Sequence, residues 1–292
     1  MSGHDAIVLE RGTSLWRDAW RRLLHNRMAV ASGLILLCVS VVTLLAPLLP
    51  LHAPDAQHLE LGATGPSWNH PFGTDVLGRD LLARVIAGGR ISILVGLVAT
   101  LVSFLVGVGY GATAGYFGGR TDDVMMRFVD VLYSLPYMFL VILLMVYFSR
   151  SLIMLFVALG LVQWLTMARI VRGQVLSIKQ QEFVEAARSM GTRNFEIIFR
   201  HVVPNALGPI IVYATLTVPA VMLQEAFLSF LGLGVQPPAA SWGTLVNEGA
   251  RVIAFFPWLA LFPGSALAVT LFCLNFLGDG LRDALDPHLR HE

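Results

Sequence analysis

The 292-residue chain is 56% hydrophobic and 13% charged, with a mean hydropathy of +0.70 and a net charge of +1. Soluble globular proteins carry about 25% charged residues, so this composition excludes that class and indicates an integral membrane protein. The charge balance gives no bulk basicity to suggest nucleic acid, and the single lysine, Lys179, is followed by Gln180 with no Gly-rich loop before it, so a P-loop is absent.

Residues 1–27 are polar and carry a basic cluster of Arg17, Arg21, Arg22 and Arg27. Trp16 and Trp20 lie one helical turn apart, a spacing that suits the headgroup level of a membrane. The first apolar run, 28–49, is too long for a signal-peptide core of about 7–15 residues, so it is expected to remain as a span. Pro47 and Pro50 close it. Residues 51–90 read as a loop containing His52, His58 and His70. Histidine is the commonest metal ligand, but this spacing matches no ligand motif, so the three read as solvated. Cys38 and Cys273 lie inside apolar runs and read as small hydrophobes rather than as a disulfide or metal site.

Five further apolar runs follow at 91–116, 128–148, 152–170, 210–233 and 253–277. Each is near the ~20 residues that cross about 30 Å of hydrocarbon. Gly107, Gly111 and Gly115 recur every fourth residue, so they share a face suited to close helix packing. Pro136, Pro257 and Pro263 are expected to kink or break helices. Two acids fall within spans. Asp130 follows Arg127 by three residues, a spacing at which the two can pair on one helix face. Glu225 lies deeper, where a charge costs about 3 kcal/mol on insertion scales and must face protein or a wet cavity. Asp130 and Glu225 are therefore candidates for a translocation path or gate, with ion pairing and helix packing as the structural alternatives.

Six spans put both termini on one side. Fifteen of the twenty Arg and Lys residues fall in the termini and the second and fourth loops, and five in the others. Arg and Lys are enriched in cytoplasmic loops, so both termini and the fourth loop are expected in the cytoplasm. That loop holds the longest charged segment between apolar runs, 182–204. Phe183, Ala186, Ala187 and Met190 share one face of a short helix by spacing. Gly191 stands where a left-handed residue would stop that helix. Thr192 or Asn194 can cap a second helix, on which Phe195, Ile198, Phe199 and Val202 repeat the spacing. Glu196 and Arg200 form a favourable i,i+4 pair, and Pro204 is expected to end the unit. The apolar face must lie on the lipid interface or on a partner protein.

Glu185, Ala186 and Ala187, followed after three residues by Gly191, resemble the EAA loop of ABC-importer permeases, which docks onto the ATPase subunit. The family's Ile-x-Leu-Pro ending reads His201, Val202, Val203, Pro204 here, keeping the proline. Further likeness lies in Ser14 to Ala19, in Gly73-Thr74-Asp75 with Gly78-Arg79-Asp80, in Gly88 to Ser92, and in Trp164 to Gly173. It continues through Phe227 to Gly234, Ser241-Trp242-Gly243 and Gly278 to Pro287. Together these resemble the C-type permease subunit of bacterial oligopeptide ABC importers, in the peptide/nickel family. The resemblance implies an all-α integral membrane protein with six transmembrane helices, the type I ABC-importer permease fold and cytoplasmic coupling helices. It implies a cytoplasmic segment at 1–27, a first span at 28–50, a periplasmic loop at 51–90, a permease domain at 91–278 with its coupling loop at 175–205, and a cytoplasmic tail at 279–292. ATPase coupling falls to Glu185, Ala186, Ala187, Met190, Gly191 and Pro204. Implied partners are a second permease in a heterodimer, two ABC ATPase subunits and a periplasmic peptide-binding protein, in the bacterial inner membrane, with oligopeptide as substrate. No cofactor, metal or catalytic residue is implied for this chain. A dipeptide or nickel permease is the alternative within the family. From another class, a proton-coupled secondary transporter would use Asp130 or Glu225 as carrier.

Overall fold

The computed structural model describes residues 15–48, 52–148 and 151–285, apart from the side chains of Leu15 and Trp16. Expectations that rest on Arg11, Ser14, the Trp16 side chain, Leu49, Pro50, Arg150 and residues 286–292 lie outside the described residues. In chain order the helices are α1 (Leu15–His25), α2 (Arg27–Leu44), α3 (Leu81–Phe117), α4 (Gly119–Ser134), α5 (Tyr137–Phe148) and α6 (Leu152–Ile178). Then come α7 (Glu182–Ser189), α8 (Asn194–Glu196), a π turn (Ile197–Val202), α9 (Val203–Phe230), α10 (Trp242–Ala250) and α11 (Trp258–Leu285). Among the described residues, five helical segments are long and apolar enough to cross a membrane, and α4 with α5 makes a sixth if that bent pair is one span.

The second span starts earlier than hydropathy suggests. Asp80 Oδ1 accepts the Ala83 amide at 2.8 Å and caps α3, so the helix begins at Leu81 and the preceding loop ends at residue 80. Arg84 and Arg90, read as loop cations, belong to this helix. At 37 residues α3 is about 55 Å long and runs well beyond the hydrocarbon. It packs on α6 along the small-residue stripe. A Cβ at Gly107 would stand 2.5 Å from Met167 Cγ, and one at Gly111 2.3 Å from the Ala168 carbonyl oxygen. Only hydrogen fits there, as the every-fourth-residue pattern predicts.

Prolines divide by context. At Pro136 the third span breaks, and α4 and α5 meet at 82°. Pro257 directly precedes α11 and stands at a helix boundary, whereas Pro263 lies within α11 without breaking it, the helix running from Trp258 to Leu285. Pro204 does not end a unit either. It sits in the first turn of α9, and one helical run extends from Asn194 to Phe230. The π turn just before it absorbs the proline: the Val203 amide reaches back five residues to the Ile198 carbonyl. The last helix also runs into the expected tail, to Leu285.

Buried side chains form clusters stacked along α3. One, at its C-terminal end, joins α3 and α6 to α7, the π turn and α9 through Tyr116, Val175, Val184, Ala187, Ile198 and Val202. Another packs α3 and α6 on α5 and α9, and a third seats α10 and α11 against the start of α3 through Leu81, Trp242, Leu245 and Leu259.

Candidate functional site

Glu182 and Glu185 lie in the first turn of α7, where the helix dipole favours anions, and Arg188 lies in its last. The helix closes on Gly191 with φ +78°. The Gly191 amide donates to the Arg188 carbonyl at 3.0 Å and the Thr192 amide to the Ala187 carbonyl at 3.2 Å. Those two bonds make a complete Schellman motif, so the expected left-handed stop at Gly191 is present. A Cβ there would meet nothing within 4 Å, so the position is glycine for its backbone and not for space.

The face read from the spacing divides in two. Ala187 is buried with Val184 in the core under α7, whereas Phe183, Ala186 and Met190 are exposed, Met190 at 78%. Ala187 therefore seats the helix on its own chain, and its outward neighbours Phe183, Glu185, Ala186 and Met190 form the free face. The same division holds beyond Gly191. Ile198 and Val202 turn inward with Ile197, while the rings of Phe195 and Phe199 meet outside at 4.6 Å, tilted by 45°. The π turn shifts the register that α-helical spacing assumes. Arg193, with neither Thr192 nor Asn194, holds the N-cap position, and no side chain caps it. Asn194 instead accepts from the Tyr116 hydroxyl at 3.0 Å, and Arg188 lies 5.6 Å over the Tyr116 ring. The Lys179 ammonium reaches the Gly115 carbonyl at 2.7 Å. Tyr116 and Lys179 thus tie this region to the end of α3, which the sequence alone does not reveal because the contacts span more than sixty residues. Glu196 and Arg200 pair at 2.9 Å as expected.

The two intramembrane acids have different settings. Asp130 pairs with Arg169 of α6 at 2.7 Å, not with Arg127, and Arg169 also covers the Tyr133 ring at 4.2 Å. Asp122 and Arg172 form a second α4–α6 tie, a two-bonded pair at 2.5 and 2.6 Å. Glu225 is wholly buried. Its Oε1 accepts from Ser229 at 2.6 Å and Ser241 at 2.7 Å, and its Oε2 from Ser92 at 3.4 Å. Ser92 in turn accepts the Trp242 amide at 3.0 Å, and Ser241 caps α10 with a reciprocal bond to Thr244. The carboxylate is the joint between α3, α9 and α10: of the two environments a buried charge tolerates, it has protein.

At the far end of α3, Asp75 binds Arg79 at 2.6 Å and Arg84 at 2.7 Å, and Arg84 continues to Glu248 of α10 at 2.6 Å. The motif residues Asp75 and Arg79 are thereby the clasp that fixes the 52–80 loop and α10 to α3. The histidines are not uniformly solvated. His70 Nδ1 donates to Asp80 Oδ2 at 2.8 Å, and His52 approaches the same oxygen at 3.7 Å, while His58 lies apart beside Glu60. The three ligand atoms of His52, His70 and Asp80 come within 4.8 Å of one another. Both Asp80 oxygens are already engaged, one as helix cap and one with His70, so the grouping reads as a loop-to-helix tie.

A family model described as "binding-protein-dependent transport system inner membrane component" matches residues 107–291, and one described as "N-terminal TM domain of oligopeptide transport permease C" matches residues 14–66. The chain is 53% identical over 278 residues to the oligopeptide transport system permease protein OppC of Escherichia coli strain K12, covering 94% of this chain and 92% of that one. It is 43% identical to the OppC protein of Bacillus subtilis strain 168, covering 99% and 95%. To the dipeptide transport system permease protein DppC of the same organism it is 50% identical, covering 95% and 87%. Among solved structures, a chain of the inward-facing MetNI methionine ABC transporter aligns with a TM-score of 0.57 at 20% identity, covering 70% of this chain and 96% of that one, which establishes a shared fold.

Proposed function

The chain belongs to the family of binding-protein-dependent transport system inner membrane components, and from that premise we propose that it is the permease subunit of an ATP-driven importer of oligopeptides. The observation that carries the substrate is the 53% identity to an oligopeptide permease across 94% of the chain. ATP hydrolysis belongs to partner chains, two ABC ATPase subunits bound at the cytoplasmic end. A second permease completes a heterodimeric pore, and a periplasmic peptide-binding protein delivers the substrate. Both termini and the 175–205 segment face the cytoplasm of a bacterial inner-membrane protein.

In this reading α7 and the turn at Gly191 are the docking element. Glu185, Ala186 and Met190 offer the outward face, Ala187 holds that face on the core, and Gly191 sets the angle. A push on α7 passes through Val184 and Ala187 to the ends of α3 and α6, and through the run beginning at Asn194 into α9. Pro204 shapes the π turn at that transfer. Asp130 and Glu225 act on the path by position: Asp130 fixes α4 to α6, and Glu225 locks α10 to α3 and α9 as part of the opposite gate. A dipeptide permease is the second reading, favoured by the 50% identity to a dipeptide relative.

The test is purification of the membrane complex on tagged permease, identification of its subunits, and uptake of labelled peptides into proteoliposomes. ATP-dependent uptake of peptides longer than two residues is expected. Uptake of dipeptides alone would move the assignment to the second reading. Uptake that survives ATP depletion while a proton gradient is held would replace both with a secondary transporter.

A further inference from the structure

The break in the third span opens a cleft with no role so far. It has a volume of about 370 Å³ and is bordered by Tyr133, Ser134 and Pro136 at the break, Gln163 and Thr166 on α6, and Gln224 on α9. Gln163 lies eleven residues into α6, which begins at Leu152, so it sits about 17 Å from that end, near the middle of the hydrocarbon. Irregular backbone at such depth is tolerated only inside protein or along a wet cavity. Leu135 is extended there with ψ 134°, Pro136 has no amide hydrogen, and both are exposed on this chain. Interrupted helices of this kind line mid-membrane binding sites in many secondary transporters.

The side chains agree with the backbone. Five uncharged polar residues converge from α4, α6 and α9, where each would be costly against lipid. The neighbouring charges, Asp130 and Arg169 one turn away, are paired with each other at 2.7 Å. Tyr133 and Thr166 share a hydrogen bond at 3.0 Å. Gln224 Oε1, by contrast, is shut from solvent with no hydrogen-bond partner among the described residues. An amide so placed gains a bond if a donor enters the cleft and χ3, a broad torsion, turns to meet it.

On the reading that the chain conducts peptides, we propose that this cleft holds a main-chain segment of the translocated peptide, with Gln163, Thr166 and Gln224 exchanging hydrogen bonds with its amide groups. Neutral side chains that can both donate and accept match the peptide backbone, which does both. They offer no countercharge for acidic or basic side chains, so the cleft reads main chain and not sequence.

The complete complex in proteoliposomes tests this, with recovery of the ATPase subunits on tagged permease as the control for assembly. Gln163→Leu and Gln224→Leu should each lower uptake at sub-saturating peptide by about three- to tenfold, the worth of one hydrogen bond. Replacing a peptide amide hydrogen by N-methyl should slow the wild type more than it slows Gln224→Leu, because the partner for that hydrogen is already gone; the binding protein contributes equally to both. With Cys38 and Cys273 replaced by serine, a cysteine at Thr166→Cys should cross-link to a thiol-reactive tripeptide only during ATP turnover. Unchanged uptake and an equal N-methyl penalty in the Gln224 variant would overturn the assignment. So would a Thr166→Cys cross-link to the second permease that ignores peptide and ATP, since the cleft would then be a permanent subunit seam. A wild-type complex that shows no ATP-driven peptide uptake would overturn the transport reading itself, and this site with it.

Discussion

A glycine in a membrane protein serves either space or backbone conformation, and two positions here separate the uses. At Gly191 φ is +78° and an added Cβ meets nothing within 4 Å. A side chain there pays about 1–2 kcal/mol for the left-handed conformation, and a β-branched one more. That cost falls on the angle between α7 and α8 and spares the membrane core. Gly191→Val is therefore expected to accumulate normally, to recover less ATPase on tagged permease and to import less peptide; Gly191→Asn should be milder. Wild-type import by Gly191→Val would remove the docking role. Gly111 is the opposite case, since its Cβ would lie 2.3 Å from the Ala168 carbonyl oxygen, and Gly111→Val should deplete the protein itself. Glu225 can be argued the same way. Glu225→Gln keeps an oxygen for Ser229 and Ser241, whereas Glu225→Leu leaves those buried hydroxyls without it, at about 1–3 kcal/mol for each unsatisfied group. Insertion should survive both changes, because a carboxylate is removed from the membrane. Transport or basal ATP hydrolysis should change in the leucine variant, as α10 loosens from α9. Unchanged values for both would leave Glu225 a packing residue only.

Elements were legible from sequence where one local rule governs them. The apolar runs show as spans because the membrane imposes a length, and Gly191 shows as a stop because one residue type takes the left-handed region. The small-residue stripe shows because its period is helical. What escaped depends on partners distant in sequence. The start of α3 was masked by Arg84 and Arg90, and Arg84 is buried only because Asp75 and Glu248 meet it. α10 gave no signal, being short and held by bonds from α3 and α9. Asp130 chose Arg169 over the nearer Arg127 because α6 lies alongside α4. Pro204 looked like a terminator, yet the π turn reroutes the Val203 amide to Ile198 and lets the helix run on. That turn yields an element-scale prediction. Pro204→Ala restores an amide hydrogen and removes the ring that crowds the carbonyl four residues back, so the π turn can tighten to α-helix. Tightening would rotate α7 and α8 about α9. ATPase subunits should still be recovered, but more ATP should be hydrolysed per peptide imported. An unchanged ratio would mean that the turn plays no part in transfer.

At the scale of the whole molecule, the two ends of α3 carry different machinery. One end holds the ion-pair clasp of Asp75, Arg79, Arg84 and Glu248 with α10; the other, about 55 Å away, holds Tyr116, Lys179 and α7. On the proposed reading, a force applied at α7 would reach the α10 end along α3, α6 and α9, past the broken third span between them. This division demands one orientation. The arginine and lysine bias of fifteen to five predicts that α7 lies in the cytoplasm, because cytoplasmic loops retain those residues during insertion. Arg188 and Arg193, two of the fifteen, stay exposed beside α7. A reporter active only outside the cytoplasm should thus be silent when fused after Arg193 and active when fused near Gln57. A second reporter, active only inside the cytoplasm, should give the inverse pair and show that silence is not simple loss of the fusion. If the first reporter is active after Arg193, α7 faces away from the ATP supply, and neither a docking role for its exposed face nor ATP-driven movement of α9 survives.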